Sequence, residues 1–253
     1  MEDSLKLYWE LVFEKVSTKE ILRQLNNPIR QYEDEMVDGA IVDIGCGQSA
    51  FLLDFASTNR EFIAIDNEQI QLDFLKKRVE SLEAANIDNW KFYNQNFPID
   101  SLPNKEYSLI IFSNLLHFFT LDECVEIGKL VSEKSINGTL VYVKVHSDKF
   151  YANNPKNPNN NDYFKHFFTI YDLETVFPTE IFERIYYAEI EKVDSKSSCE
   201  LTEEWLDRFF KANKITDTKC INSIKKERLQ NKTETCIVAI FRKRKNAVNE
   251  YKC

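Results

Sequence analysis

The stretch that most constrains this chain is Ile41-Val42-Asp43-Ile44-Gly45-Cys46-Gly47-Gln48-Ser49-Ala50-Phe51. An apolar run reaches an aspartate, turns on two glycines one residue apart, and enters a second apolar-periodic segment. That is the sequence form of a buried strand feeding a helix through a tight turn. Without Cβ atoms at Gly45 and Gly47, a ligand can approach the main chain beside the free N–H groups of a helix start. About twenty residues on, Phe62-Ile63-Ala64-Ile65 ends in Asp66, a carboxylate suited to both hydroxyls of a ribose. Gln69 also completes an Asp-x-x-Gln box, so Asp66 suits helix capping as well. The whole chain has 5 Gly, and two of them sit in this turn, which makes chance a poor explanation of their placement.

The rest of the chain alternates in the same way. Residues 4–16 carry a broad apolar stripe at helical spacing, and Ser17 with Glu20 boxes a second helix through Ile21, Leu22 and Leu25 to Asn27-Pro28. Helical residues near 50–57 precede the second strand. Ile70, Phe74, Leu75, Val79 and Leu82 then mark an amphipathic helix over 67–86. Trp90 to Tyr93 reads as a third strand. Leu109 to Phe112 reads as a fourth, uniformly apolar as for a parallel strand buried on both faces. Thr120 and Glu123 box the next helix, Asn137-Gly138 is its stop, and Thr139 to Val145 is a fifth strand. Residues 151–162 are polar, Asn-rich and turn-forming, with the composition of a mobile loop. A short helix over 169–177, strands over 182–193 and 235–241, and between them a helix capped by Thr202 complete the chain. The expected fold is α/β, a doubly wound, seven-stranded, mostly parallel sheet.

Composition excludes several functions. A net charge of −8 argues against a general grip on nucleic acid or an anionic membrane. The acidic Met1-Glu2-Asp3-Ser4 leads into no apolar signal core, and no stretch is long enough to span a bilayer. The 6 Cys form no C-x-x-C pair and the 3 His lie far apart, so neither a disulfide framework nor a metal site is expected. Reduced thiols in a cytoplasmic protein are the simpler reading. The basic run Arg242-Lys243-Arg244-Lys245 is expected to be a solvated strand end.

Asp43, Gly45 and Gly47, with Ser49 in place of the last glycine, resemble the acid-x-Gly-x-Gly-x-Gly motif of class I S-adenosylmethionine-dependent methyltransferases. The resemblance covers about residues 35–195 and 234–243 and implies that family's Rossmann-like fold. Residues 1–38 are then an N-terminal helical cap on a methyltransferase domain over 39–253, with a helical insertion at 197–233 before the last strand. Ser113 to Phe119 and Lys165 to Phe168 are most similar to the small-molecule branch that includes tellurite-resistance methyltransferases.

The resemblance implies S-adenosylmethionine as cofactor, S-adenosylhomocysteine as product and a small-molecule acceptor. Asp43, Gly45, Cys46 and Gly47 would meet the amino-acid part of the cofactor, and Asp66 with Asn67 the ribose. Asn96 stands where many relatives bond the adenine amino group, with Phe97 lining that pocket, although a strand-end Asn also suits a plain turn. Ser113 and Asn114 would meet the methionine portion. Tyr8, Trp9 and Tyr163 are candidates for the acceptor pocket, while Tyr8 and Trp9 serve equally as core of an amphipathic helix. A general base is needed only for an acceptor that must lose a proton, and His117, His146 and His166 are the candidates, each as readily structural. Three readings compete with this one. They are a protein methyltransferase, a non-catalytic cofactor-binding module, and an NAD-dependent oxidoreductase, whose Gly-x-Gly-x-x-Gly fingerprint tolerates Ala50.

Overall fold

A computed structural model describes residues 4–15, 27–47, 49–83, 85–193, 196–229 and 233–245. The helix expected from Ser17 to Leu25, and Gln48 within the turn, lie outside the described residues.

The larger of two compact units spans residues 21–190 and 235–253. Its strands are β1 (Ala40–Ile44), β2 (Phe62–Asp66), β3 (Trp90–Asn94), β4 (Tyr107–Ser113), β5 (Ser135–His146), most of β6 (Phe182–Val193) and β7 (Thr233–Lys243). They form one sheet in the order β3-β2-β1-β4-β5-β7-β6. β1 pairs in parallel with β2 and β4, β2 with β3, and β4 with β5, while β7 runs antiparallel to β5. Every residue of β1 and β2 is buried, as their unbroken apolar runs require. Successive side chains leave on opposite faces. Val42, Ile44, Ile63 and Ile65 enter one core with α4 (Leu121–Lys134) and α5 (Ile170–Val176). Ile41, Phe62 and Ala64 enter the other with α2 (Ala50–Asp54) and α3 (Gln69–Glu80).

Three local expectations differ from the structure. Asn27-Pro28 begins an element instead of ending one. Asn27 Oδ1 accepts from the Ile29 N–H and Pro28 opens a 3-10 helix to Glu35, because a proline at the first position forfeits only an N–H that has no partner there. Asn137-Gly138 is not the stop of α4, which starts at the Thr120–Glu123 capping box and ends at Lys134. These residues lie inside β5, where its register against β4 shifts between Tyr107 and Leu109. Thr139 Oγ1 donates to the Tyr107 carbonyl at 2.6 Å and anchors the irregular segment. Lys243 is not solvated, since its Nζ donates to the Ser132 carbonyl at 3.0 Å and to Ser132 Oγ at 2.7 Å, both buried.

The smaller unit comprises residues 1–20 and 191–234, with α1 (Ser4–Lys15), α6 (Lys196–Ala212) and α7 (Thr218–Arg228). Arg208 bonds both carboxylate oxygens of Glu14, at 2.9 and 2.7 Å, joining α6 to α1. The pair is solvent-exposed, so it orients the helices more than it stabilises them. Among the described residues no helix is long and apolar enough to cross a membrane.

Candidate active site

Ligands of doubly wound sheets bind outside the carboxyl ends of the strands, and there β1 turns through Gly45 (φ 65°) and Gly47 (φ 48°). A Cβ on Gly45 would lie 2.8 Å from the Leu115 side chain, so this glycine admits a close approach from the loop after β4. A Cβ on Gly47 would meet nothing nearer than Gln71 Oε1 at 3.9 Å, which leaves the backbone approachable. Cys46 between them is buried, and its N–H donates to the Ile65 carbonyl. Burial pushes its thiol well above the usual range, so it is no nucleophile at neutral pH.

Two carboxylates bracket the turn. Asp66 receives the Gly47 N–H on Oδ2 at 2.8 Å and the Glu68 N–H on Oδ1 at 2.9 Å. The Asp66–Gln69 capping box does not form, for α3 starts after Glu68 and Gln69 donates to Asp73. Burial raises the Asp66 pKa against those backbone bonds. Asp43 is 1% exposed. Ser49 Oγ donates to its Oδ2 at 2.6 Å and also accepts from the Leu52 N–H, capping α2 from a left-handed backbone at φ 33°. Asp43 Oδ1 is buried with no partner among the described residues. Burial lifts its pKa to about 7, the Ser49 bond opposes, and the Asp66 charge adds to the rise. A buried acceptor without a donor, beside an approachable glycine, fits a ligand that brings a cationic hydrogen-bond donor.

Further along the strand ends, Asn67 and Asn96 are exposed. The Asn67 carbonyl accepts from Asn94 Nδ2, and the Asn96 N–H donates to Asp100. Phe97 packs against the core with its ring 6.1 Å from that of Phe112. Ser113 ends β4, and Asn114 (φ 59°) donates its N–H to the Lys144 carbonyl.

The fold brings two of the three histidines together. His117 stacks on His146 at 3.9 Å between centroids, and His146 on Phe150 at 3.8 Å. The Phe164 ring meets all three edge-on. The His146 N–H donates to His117 Nδ1 at 3.3 Å. The Lys165 and His166 N–H groups both donate to the His117 carbonyl, which ties the returning loop to β4. His166 itself lies edge-on to Phe168, with Nε2 3.3 Å from Asp172. Burial lowers the pKa of His117 to about 2 and of His146 to about 4, with the charge on Lys144 adding to both. Tyr163 lies edge-on to Phe118 and Phe164. The Asn-rich loop is closed by its own amides, with Asn160 bonding the Asn154 N–H at 2.6 Å and the Asn153 side chain at 2.8 Å. Tyr8 and Trp9 belong to the helical unit, where Tyr8 lies edge-on to Trp205 at 5.8 Å. Among the described residues no group of three or more His, Cys, Asp or Glu could hold a metal ion.

Residues 41–132 match the family model of a methyltransferase domain. The segment from β1 to α4 is thus similar to a methyltransferase domain. No curated protein matches the chain. Solved structures similar to it include an S-adenosylmethionine-dependent methyltransferase from Methanosarcina mazei, at 16% identity and TM-score 0.58 over 87% of this chain and 98% of that one. TehB from Haemophilus influenzae is similar at 15% identity and TM-score 0.59, over 87% of this chain and 63% of that one. Phosphoethanolamine N-methyltransferase 2 from Haemonchus contortus, solved with phosphomonomethylethanolamine and S-adenosylhomocysteine, is similar at 12% identity and TM-score 0.54, over 96% and 59%. At these identities the likeness is one of fold. Sequence reasoning placed Ser49 only as the stand-in for the motif's last glycine and overlooked Gln71. Ser49 had a signal, its place before an apolar helical run, as did Gln71, a polar residue on the buried stripe of α3 beside Phe74 and Leu75.

The buried ionisable groups make apo stability depend on pH in two opposed ways. The histidines, lowered in the folded state, contribute stability above about 6.5 that is lost as pH falls toward their folded values of about 4 and 2. Asp43, raised in the folded state, contributes stability below about 3.9 that is lost as pH rises through about 7. The two histidines outweigh Asp43 together with Asp66, whose rise is opposed by backbone hydrogen bonds, so the melting temperature should climb from pH 4 to about 6.5. Asp43→Asn should steepen that climb, because it removes the opposing proton. A thermal melt series across this range checks both, and a variant slope no steeper than wild type would contradict the burial argument.

Proposed function

We propose that the domain methylates a small-molecule acceptor held beyond the ends of β4 and β5. The ring cluster there carries the reading: an uncharged stack of His117, His146 and Phe150 lies behind a rim of Phe118 and Tyr163, 38% and 64% exposed. Such a wall suits a compact acceptor with apolar or planar surface. The net charge of −8 supports no nucleic-acid acceptor, and buried thiols such as Cys46 and Cys124, in no disulfide, support a cytoplasmic setting.

When bound, S-adenosylmethionine supplies a methyl group on a sulfonium, whose leaving group is good. The chain therefore has chiefly to align the acceptor and exclude water. Asp43 and Asp66, with the Gly45–Gly47 turn, would hold the cofactor. Asn67, Asn96, Phe97, Ser113 and Asn114 would complete its cradle. His117 Nδ1 already accepts a hydrogen bond, so its proton sits on Nε2 and the ring serves as a donor or as packing. His146 is the better base for an acceptor that must lose a proton, being neutral at physiological pH with no partner on Nδ1 among the described residues. His166 would position the loop.

Incubation with methyl-labelled S-adenosylmethionine and a panel of phenols, amines, thiols and peptides tests the reading. Label should appear in a small molecule, with S-adenosylhomocysteine formed in equal amount. Label confined to peptides would favour a protein acceptor. Cofactor binding without turnover would favour a non-catalytic module.

A further inference from the structure

We infer that Gln71 is a further cofactor-binding residue, whose amide oxygen accepts a hydroxyl or ammonium hydrogen of the cofactor above Gly47. The inference rests on S-adenosylmethionine as the ligand. Gln71 is 3% exposed, on the face of α3 that also buries Phe74 and Leu75. Core positions of an amphipathic helix are normally apolar, and a buried amide is tolerated when its hydrogen bonds are made. The Gln71 Oε1 atom is buried and has no partner among the described residues. It lies 3.9 Å from the point a Cβ would occupy on Gly47, so it overlooks the approachable side of the turn.

The Gly47 N–H does not satisfy it, being already given to Asp66. Asp66 and Asp43, which bracket the same turn, are carboxylates with raised pKa values. A third carboxylate here would add like-charge repulsion, whereas an amide offers an acceptor without charge. Asp43 Oδ1 and Gln71 Oε1 are thus two buried acceptors flanking one glycine turn, and neither has a donor among the described residues.

Gln71→Met keeps the length and most of the volume while removing the acceptor. Calorimetric titration with S-adenosylhomocysteine should show affinity about tenfold weaker than wild type. The apo melting temperature should be equal or higher, because a buried unpaired oxygen is gone. Titrating 5′-methylthioadenosine in parallel locates the donor. An equal loss for both ligands places it on the nucleoside hydroxyls, and a loss for S-adenosylhomocysteine alone places it on the ammonium group. Affinity within twofold of wild type would overturn the inference, as would weaker affinity joined to a lower apo melting temperature, which marks a merely structural amide. Wild-type protein that binds neither ligand would overturn the cofactor reading as well, whereas normal wild-type binding with an unaffected variant would overturn Gln71 alone.

Discussion

Asp66→Ala should weaken S-adenosylhomocysteine binding more than tenfold, or by more than about 1.4 kcal/mol. The carboxylate is 9% exposed and ends β2 beside the glycine turn. Its two oxygens accept from Gly47 and Glu68, which fixes the orientation of both, and each oxygen retains a lone pair for a ribose hydroxyl. Hydrogen bonds to a charged, half-desolvated acceptor contribute about 1.5–3 kcal/mol each, so losing the ligand contacts alone exceeds the tenfold threshold. Asp66→Ala also frees the Gly47 and Glu68 N–H groups, which should lower apo stability by about 1–2 kcal/mol. Asp66→Asn separates the two effects. Its single carbonyl oxygen can brace one N–H, so stability should largely recover while affinity stays low. Calorimetry on both variants decides, and an unchanged affinity in Asp66→Ala would remove Asp66 from the cofactor site.

Gly128→Ala should destabilise the larger unit by about 3 kcal/mol, although alanine is the better helix former by about 1 kcal/mol. Gly128 is buried on α4. A Cβ there would lie 2.0 Å from the Val176 carbonyl oxygen and 3.0 Å from its carbonyl carbon. Those are backbone atoms at the end of α5, so no rotamer change relieves the clash and the two helices must separate. The cores beneath them include Ile127, Val131, Leu173 and Val176, all of which would lose packing. The expected fall in melting temperature is roughly 10 °C for a domain of this size. A melting temperature equal to or above wild type would mean that α4 and α5 do not pack as closely as described.

Much of this architecture was legible because its signals are local. Apolar runs ending in Asp43 and Asp66, the paired glycines and the Thr120–Glu123 box depend on chain neighbours, and each marks its element within a few residues of the observed bounds. Asn137-Gly138 misled because the same dipeptide serves a helix stop or a strand irregularity. The choice fell to Thr139, whose hydroxyl finds the Tyr107 carbonyl 32 residues away. Lys243 misled for a similar reason, since its charge spoke for solvent until Ser132 offered two buried acceptors.

The sequence by itself determined the strand–turn–helix unit, the alternation that winds the sheet, and the acids placed at two strand ends. Those follow from backbone sterics and hydrophobic periodicity, which act over short stretches. Tertiary structure alone decided which side chains share the site. The parallel pairing of β4 with β5 brings His117 against His146, and the loop returning through Lys165 seals the stack with Phe164. The strand ends likewise set Gln71 over a glycine that precedes it by a whole strand and helix. Burial then raises the Asp43 pKa and lowers those of the two histidines. No spacing rule encodes those shifts, because desolvation depends on everything packed around a group and not on its neighbours in the chain.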